Sequence, residues 1–156
     1  MEKTLIIENT TLVTMNAQRE VLTGASLAVA GDRIAAISTG EDLRVRFPDA
    51  EILDGRGKVV LPGLINAHTH IAMSLQKGIT LAVPEGLYRV MWPVERGLTR
   101  EDIAVGALVG GAEALLGGTT CVVDHYFHME GVTQALITLG LRGVMGHTIM
   151  SRLGPF

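Results

Sequence analysis

The stretch Leu61-Pro62-Gly63-Leu64-Ile65-Asn66-Ala67-His68-Thr69-His70 constrains this chain most. It is an apolar run that ends in two histidines one residue apart. In a strand, successive side chains point to opposite faces, so His68 and His70 share one face and Thr69 takes the other. Two imidazoles side by side at a strand end can hold one metal ion. They cannot complete its sphere, because a catalytic zinc usually takes three protein ligands plus water. The pair is therefore half of a site. Two histidines on a strand also occur as plain polar surface residues. The metal reading gains from context: the pair follows a Pro-Gly turn and opens a series of alternating strands and helices.

Up to about residue 60 the chain reads as β structure. Thr4–Ile7 and Thr11–Thr14 are short β-branched runs. Ala25–Ala30 and Arg33–Ile37 flank Gly31-Asp32, a two-residue hairpin signal. Glu51–Asp54 and Lys58–Leu61, joined through Gly55 and Gly57, read as a second hairpin. Glu41–Phe47 reads as a helical turn before Pro48. A small antiparallel sheet or half-sandwich is the expectation for residues 1–60.

From Pro62 the pattern changes. Gly63–His70 reads as a strand. Residues 73–96 are expected to be irregular or partly helical, with Pro84 and Pro93 as breaks. Thr99 can cap a helix whose first turn carries Glu101 and Asp102. Ile103, Ala107, Leu108, Leu115 and Leu116 are expected on or near one face of it, and Gly117-Gly118 stops it. Thr119–Val123 is a strand ending at Asp124-His125-Tyr126-Phe127-His128. Val132–Leu139 is a helix stopped by Gly140, and Arg142–Ile149 is a third strand. This order favours parallel pairing with right-handed crossovers.

Bulk properties exclude several classes. With 47% apolar and 19% charged residues, the chain is not disordered. A net charge of -3 and no basic run argue against a nucleic-acid surface. Residues 103–123 are long and apolar, but Glu113 and Gly117-Gly118 interrupt them, so a buried helix and strand are expected there and no membrane contact. The single Cys121 makes no internal disulfide and suits a reducing cytoplasm. No apolar signal core follows Met1.

Leu61–His70 resembles the first-strand signature of the amidohydrolase superfamily. Val29–Ile34 and Asp54–Val59 are similar to its flanking β-sandwich half. Trp92-Pro93-Val94-Glu95, Gly117–Thr120 and Val123–His128 look like the branch of S-adenosylhomocysteine/methylthioadenosine deaminases and triazine chlorohydrolases. The resemblance spans nearly the whole chain. It implies an α/β fold: the first part of a (β/α)8 TIM-type barrel over residues 61–156, about three strands, preceded by the sandwich portion over 1–60. Such a barrel takes about 250 residues, and the chain has 156.

The same resemblance implies a hydrolase of C–N bonds. It would deaminate or dechlorinate an N-heterocycle such as a purine nucleoside, pterin or triazine through water activated by zinc, or alternatively iron. His68 and His70 match its first-strand metal ligands. Glu95 matches a glutamate that bonds ribose hydroxyls, and its alternative is a solvated charge at a helix end. His125, His128 and His147 are expected to line the substrate pocket, with Asp124 as another candidate; polar loop groups are the alternative for this cluster. Two positions depart from the branch: Gly86 stands near a usual tryptophan, and His147 near a usual arginine.

The remaining ligands and the catalytic acid–base group are expected beyond Phe156. By itself the chain is thus expected to be an inactive, poorly soluble portion of a homo-oligomeric enzyme. The competing readings are an imidazolonepropionase- or dihydroorotase-like ring opener and a non-catalytic subunit of a split enzyme.

Overall fold

A computed structural model describes residues 3–80 and 82–149. It is a mixed α/β chain that divides into two compact units, Met1–Pro62 and Gly63–Phe156.

The first unit is a five-stranded sheet. Strands β1 (Thr4–Val13), β2 (Val21–Ala30) and β3 (Arg33–Ser38) form an antiparallel meander. Gly31 at the β2–β3 turn sits at φ +57°, where a side chain would be strained. Helix α1 (Leu43–Arg46) is capped by the Asp42 carboxylate, which accepts from the Arg44 N–H. Its Leu43 packs with Ile6 and Ala28 to form the core of this unit.

Strands β4 (Glu51–Asp54) and β5 (Val59–Val60) correct the sequence reading twice. They do not pair with each other as a hairpin. Both run parallel to β1, β4 along Leu5–Glu8 and β5 along Thr11–Leu12, so the sheet is mixed. The two β1 runs are also one strand, irregular between Ile7 and Thr10, where Asn9 takes φ +56°. The Gly55–Lys58 turn bulges over that irregularity. Gly55 N–H donates to the Glu8 carbonyl and Thr11 N–H to the Lys58 carbonyl. The turn thus continues along the edge of β1 instead of reversing.

In the second unit, β6 (Leu64–Thr69), β7 (Thr119–Tyr126) and β8 (Arg142–His147) form a parallel sheet in that order. A 3-10 turn, Ile71–Gln76, follows β6 directly. A π turn, Leu87–Met91, runs straight into α2 (Trp92–Glu95). Pro93 therefore does not break that segment; it lies in the first turn of α2, directly after the π turn.

Helix α3 (Arg100–Leu116) opens with a reciprocal capping box between Thr99 and Asp102. Helix α4 (Met129–Leu139) ends at Gly140 in a left-handed conformation. One face of the sheet is covered: Val122 and Tyr126 pack with Ile71, Ile103, Ala107, Met129, Val132 and Leu136. Ile65, Val123 and Val144 stay exposed. No helix among the described residues is long and apolar enough to cross a membrane.

The buried face of α3 is not the leucine face. Leu116 is 90% exposed, and Leu108 and Leu115 are also exposed. Ile103, Gly106, Ala107, Gly110 and Gly111 are buried instead. A Cβ on Gly106 would overlap the Ala72 carbonyl, and one on Gly110 the Ile71 carbonyl. The helix thus approaches the backbone of the 3-10 turn more closely than any side chain permits.

Candidate metal centre

Register decides which side chains meet. Thr69 on β6 pairs with Asp124 on β7. Asp124 is 2% exposed and turned to the helix layer. By alternation His68, His70 and His125 share the opposite face. Their rings stand edge to face, with centroids 5.1 Å apart for His68–His70, 4.5 Å for His70–His125 and 5.7 Å for His68–His125. One ligand nitrogen from each lies within 4.8 Å of the others.

His70 is held in a defined tautomer. Its Nδ1 lies 2.7 Å from the His125 carbonyl oxygen. A carbonyl only accepts, so Nδ1 carries the proton and Nε2 keeps its lone pair. This is the usual way a protein orients a metal-binding imidazole. The next residue is held as well: Ile71 N–H donates to Asp124 Oδ2 at 3.1 Å. Two consecutive β7 residues thus fix the end of β6. Burial pushes the Asp124 carboxyl up, opposed by the Ile71 N–H and by His70 and His125. Its Oδ1 is buried without a partner among the described residues.

Beside His70 lies a second polar group. The Tyr126 ring is 6.0 Å from the His70 ring, and its hydroxyl donates to Glu95 Oε1. Gln76 Nε2 donates to the same hydroxyl oxygen at 3.4 Å. Glu95 is 3% exposed. Burial raises its carboxyl, opposed by the Tyr126 hydrogen bond and the His70 charge. Burial and Glu95 together push the Tyr126 hydroxyl up.

A raised carboxyl has a definite sign for stability. Its contribution is fully present below the unfolded value of about 4.3 and is lost as pH rises through the folded value. Glu95→Gln keeps an oxygen for the Tyr126 hydroxyl and removes the charge. In urea unfolding, the stability of this variant relative to wild type should rise between pH 4 and pH 7. An unchanged difference would contradict the burial of a charge at Glu95.

The structure brings His68, His70 and His125 together and sets Glu95 next to them through Tyr126. His128 stands just before α4 at φ +50°, with no side-chain hydrogen bond capping the helix, and is half-buried. His147 is not brought to the three imidazoles. Its ladder partner is Tyr126, whose ring is buried among the helices. His147 lines a hollow with Met129, Glu130 and Thr133 of α4. Sequence reading placed His125 only among pocket-lining polar residues. Its membership of the histidine group follows from the Thr69–Asp124 register, across 55 residues of chain. The signal within reach was the alternation Val123-Asp124-His125, in which one polar residue must face away from the other.

Three imidazoles with one nitrogen fixed in its lone-pair form make a donor set suited to zinc. Residues 59–153 match the amidohydrolase family. A 5-methylthioadenosine/S-adenosylhomocysteine deaminase of Acetivibrio thermocellus is 41% identical over 140 residues, covering 88% of this chain and 32% of that protein. The crystal structure of an atrazine chlorohydrolase from Arthrobacter aurescens TC1, complexed with zinc, superposes with a TM-score of 0.76 at 25% identity, covering 95% of this chain and 36% of that one. An adenosine deaminase from Xanthomonas campestris with bound zinc gives a TM-score of 0.73 at 31% identity, covering 90% and 33%. The chain spans about a third of the length of the curated relatives it matches. On the extent of the match along residues 59–153, this chain belongs to the amidohydrolase family.

Proposed function

We propose that this chain is the N-terminal part of a metal-dependent hydrolase that deaminates an amino-substituted N-heterocycle, with a purine nucleoside as the favoured substrate. The observation that carries this is the meeting of His68, His70 and His125 at one end of adjacent parallel strands. Strands β6, β7 and β8 are read as the first three of an eight-stranded α/β barrel. Enzymes of that architecture work at the C-terminal ends of their strands, where these histidines lie. The exposed Ile65, Val123 and Val144 support the same reading, since further strands would cover them. The deaminase names of the relatives favour a nucleoside; the chlorohydrolase keeps a triazine in view.

A bound zinc supplies Lewis-acid activation of water for attack on the amino-bearing carbon. The chain's own residues do the positioning. His70 presents Nε2 because Nδ1–H is held by the His125 carbonyl. Asp124 fixes the turn after His70 through the Ile71 N–H. Tyr126 holds Glu95 beside this group. Glu95 is assigned to the substrate hydroxyls. His128 is assigned to the pocket edge; His147, turned to the α4 side of the sheet, has no place at this site. The full-length product of the gene that carries this chain should release ammonia from adenosine-type nucleosides in a zinc-dependent way. Silence across adenosine derivatives, pterins, guanine and triazines would overturn the proposal.

A further inference from the structure

We infer that Tyr126 is the positioning residue for Glu95, so that recognition of the substrate's ribose hydroxyls depends on the tyrosine hydroxyl. The inference rests on the assignment of Glu95 to those hydroxyls and deepens it. The hydrogen bonds run in one direction. Gln76 Nε2 donates to the Tyr126 oxygen at 3.4 Å, and the Tyr126 hydroxyl donates to Glu95 Oε1. An ionised carboxylate only accepts, so the hydroxyl gives its one proton to Glu95 and takes Gln76 as its donor. This bond engages one carboxylate oxygen. A carboxylate has about four lone-pair positions, so Glu95 can accept from substrate hydroxyls through Oε2 while Tyr126 stays in place.

Tyr126 is rigid where Glu95 alone is not. It ends β7, is 4% exposed, and belongs to the buried cluster that includes Ile71, Met129 and Val132. The Glu95 side chain has several rotatable bonds, whose freedom is lost on binding a substrate. A carboxylate fixed beforehand does not lose it at that moment. A tyrosine that only satisfied a buried acid would need no further partner. Here a second buried side chain, Gln76, is turned onto the hydroxyl, while its own Oε1 has no partner among the described residues. Orienting Tyr126 thus leaves a buried acceptor unmet, which satisfaction of polar groups does not explain. The placement also sets a distance. Tyr126 follows His125, whose carbonyl holds His70, and its ring is 6.0 Å from the His70 ring. One strand end therefore fixes how far the hydroxyl contact lies from the imidazole group.

The test uses the full-length product of the gene, assayed on adenosine and on 2′,3′-dideoxyadenosine. The readout is the ratio of the two kcat/KM values in one preparation, from which any loss of folded enzyme cancels. We expect the wild type to prefer adenosine. Glu95→Ala should abolish that preference. Tyr126→Phe, which keeps the ring, should lower the ratio by about 10-fold or more, the scale of a hydrogen bond to a charged group. Gln76→Leu should lower it by about 3-fold, the scale of a neutral one, and carries the test where Tyr126→Phe gives no folded enzyme by circular dichroism. An unchanged ratio in folded Tyr126→Phe, or in Gln76→Leu where that variant carries the test, beside a lost preference in Glu95→Ala, would overturn the positioning role and leave Glu95 on the hydroxyls. No preference in the wild type, or an unchanged ratio in Glu95→Ala, would overturn the Glu95 assignment and the inference with it.

Discussion

His70→Ala is expected to strip zinc from this chain while leaving it folded. Two effects combine. The substitution removes a nitrogen of the proposed ligand set, and it removes the only ring nitrogen of the three whose role is set by a carbonyl. Zinc affinity should fall by more than about 100-fold, beyond the 10–100-fold typical of an outer-shell change. The fold has little at stake, because the ring is only partly buried and water can reach the His125 carbonyl left behind. Stability in the absence of metal should change by no more than about 1 kcal/mol. Metal content by inductively coupled plasma spectrometry and urea unfolding with chelator present check the two halves. Undiminished zinc would remove His70 from the site.

The contrast with Asp124 is informative. Its carboxylate touches Ile71 N–H and no ring of the group in any bond described above. Its hydrogen bond acts through the turn after His70, while its charge acts on His70 and His125 directly. That route explains why a fully buried acid, costly in itself, sits at the end of β7. It satisfies the first N–H of a 3-10 turn that has no side-chain cap of its own.

What could be read from the sequence follows the range of the interaction that decides it. His68 and His70 are two residues apart on one strand, so their common face follows from alternation alone. The Thr99 cap and the Gly31 turn are equally local. The parallel strands of the second unit follow from alternating strands and helices. His125 needed a register set between strands 55 residues apart. The supposed hairpin at Gly55–Lys58 failed for the same reason, since the partner of both arms is β1, more than 40 residues upstream. Glu95 looked like a helix-end charge or a ribose contact; its burial on Tyr126 is set by packing of α2 against β7, which no motif encodes.

The α3 face was misread for a different reason, and it yields the second large effect. Hydrophobic patterning weighs side chains, so it selects Leu108, Leu115 and Leu116. The helix instead buries the positions with no side chain. Gly106→Ala should raise helix propensity by about 0.8–1 kcal/mol, yet its Cβ would overlap the Ala72 carbonyl. That oxygen belongs to backbone in a tight turn and cannot swing aside. Overpacking of this kind costs about 1–3 kcal/mol, occasionally more, and the rigid contact puts Gly106→Ala at the upper end. A net loss of about 2 kcal/mol or more in urea unfolding is the expected result. Leu116→Ala, on the exposed flank, should stay within about 0.5 kcal/mol of wild type. A buried leucine face would reverse the order, with Leu116→Ala losing about 2–5 kcal/mol and Gly106→Ala gaining. The damage should reach the metal centre too. Ala72 lies two residues after His70, and pushing its carbonyl away displaces the turn whose first N–H is held by Asp124. Gly106→Ala should therefore lower zinc affinity under conditions where the variant is still folded, although Gly106 touches no histidine of the group. Unimpaired zinc binding in folded Gly106→Ala would show that the end of β6 holds its geometry without the turn beneath it.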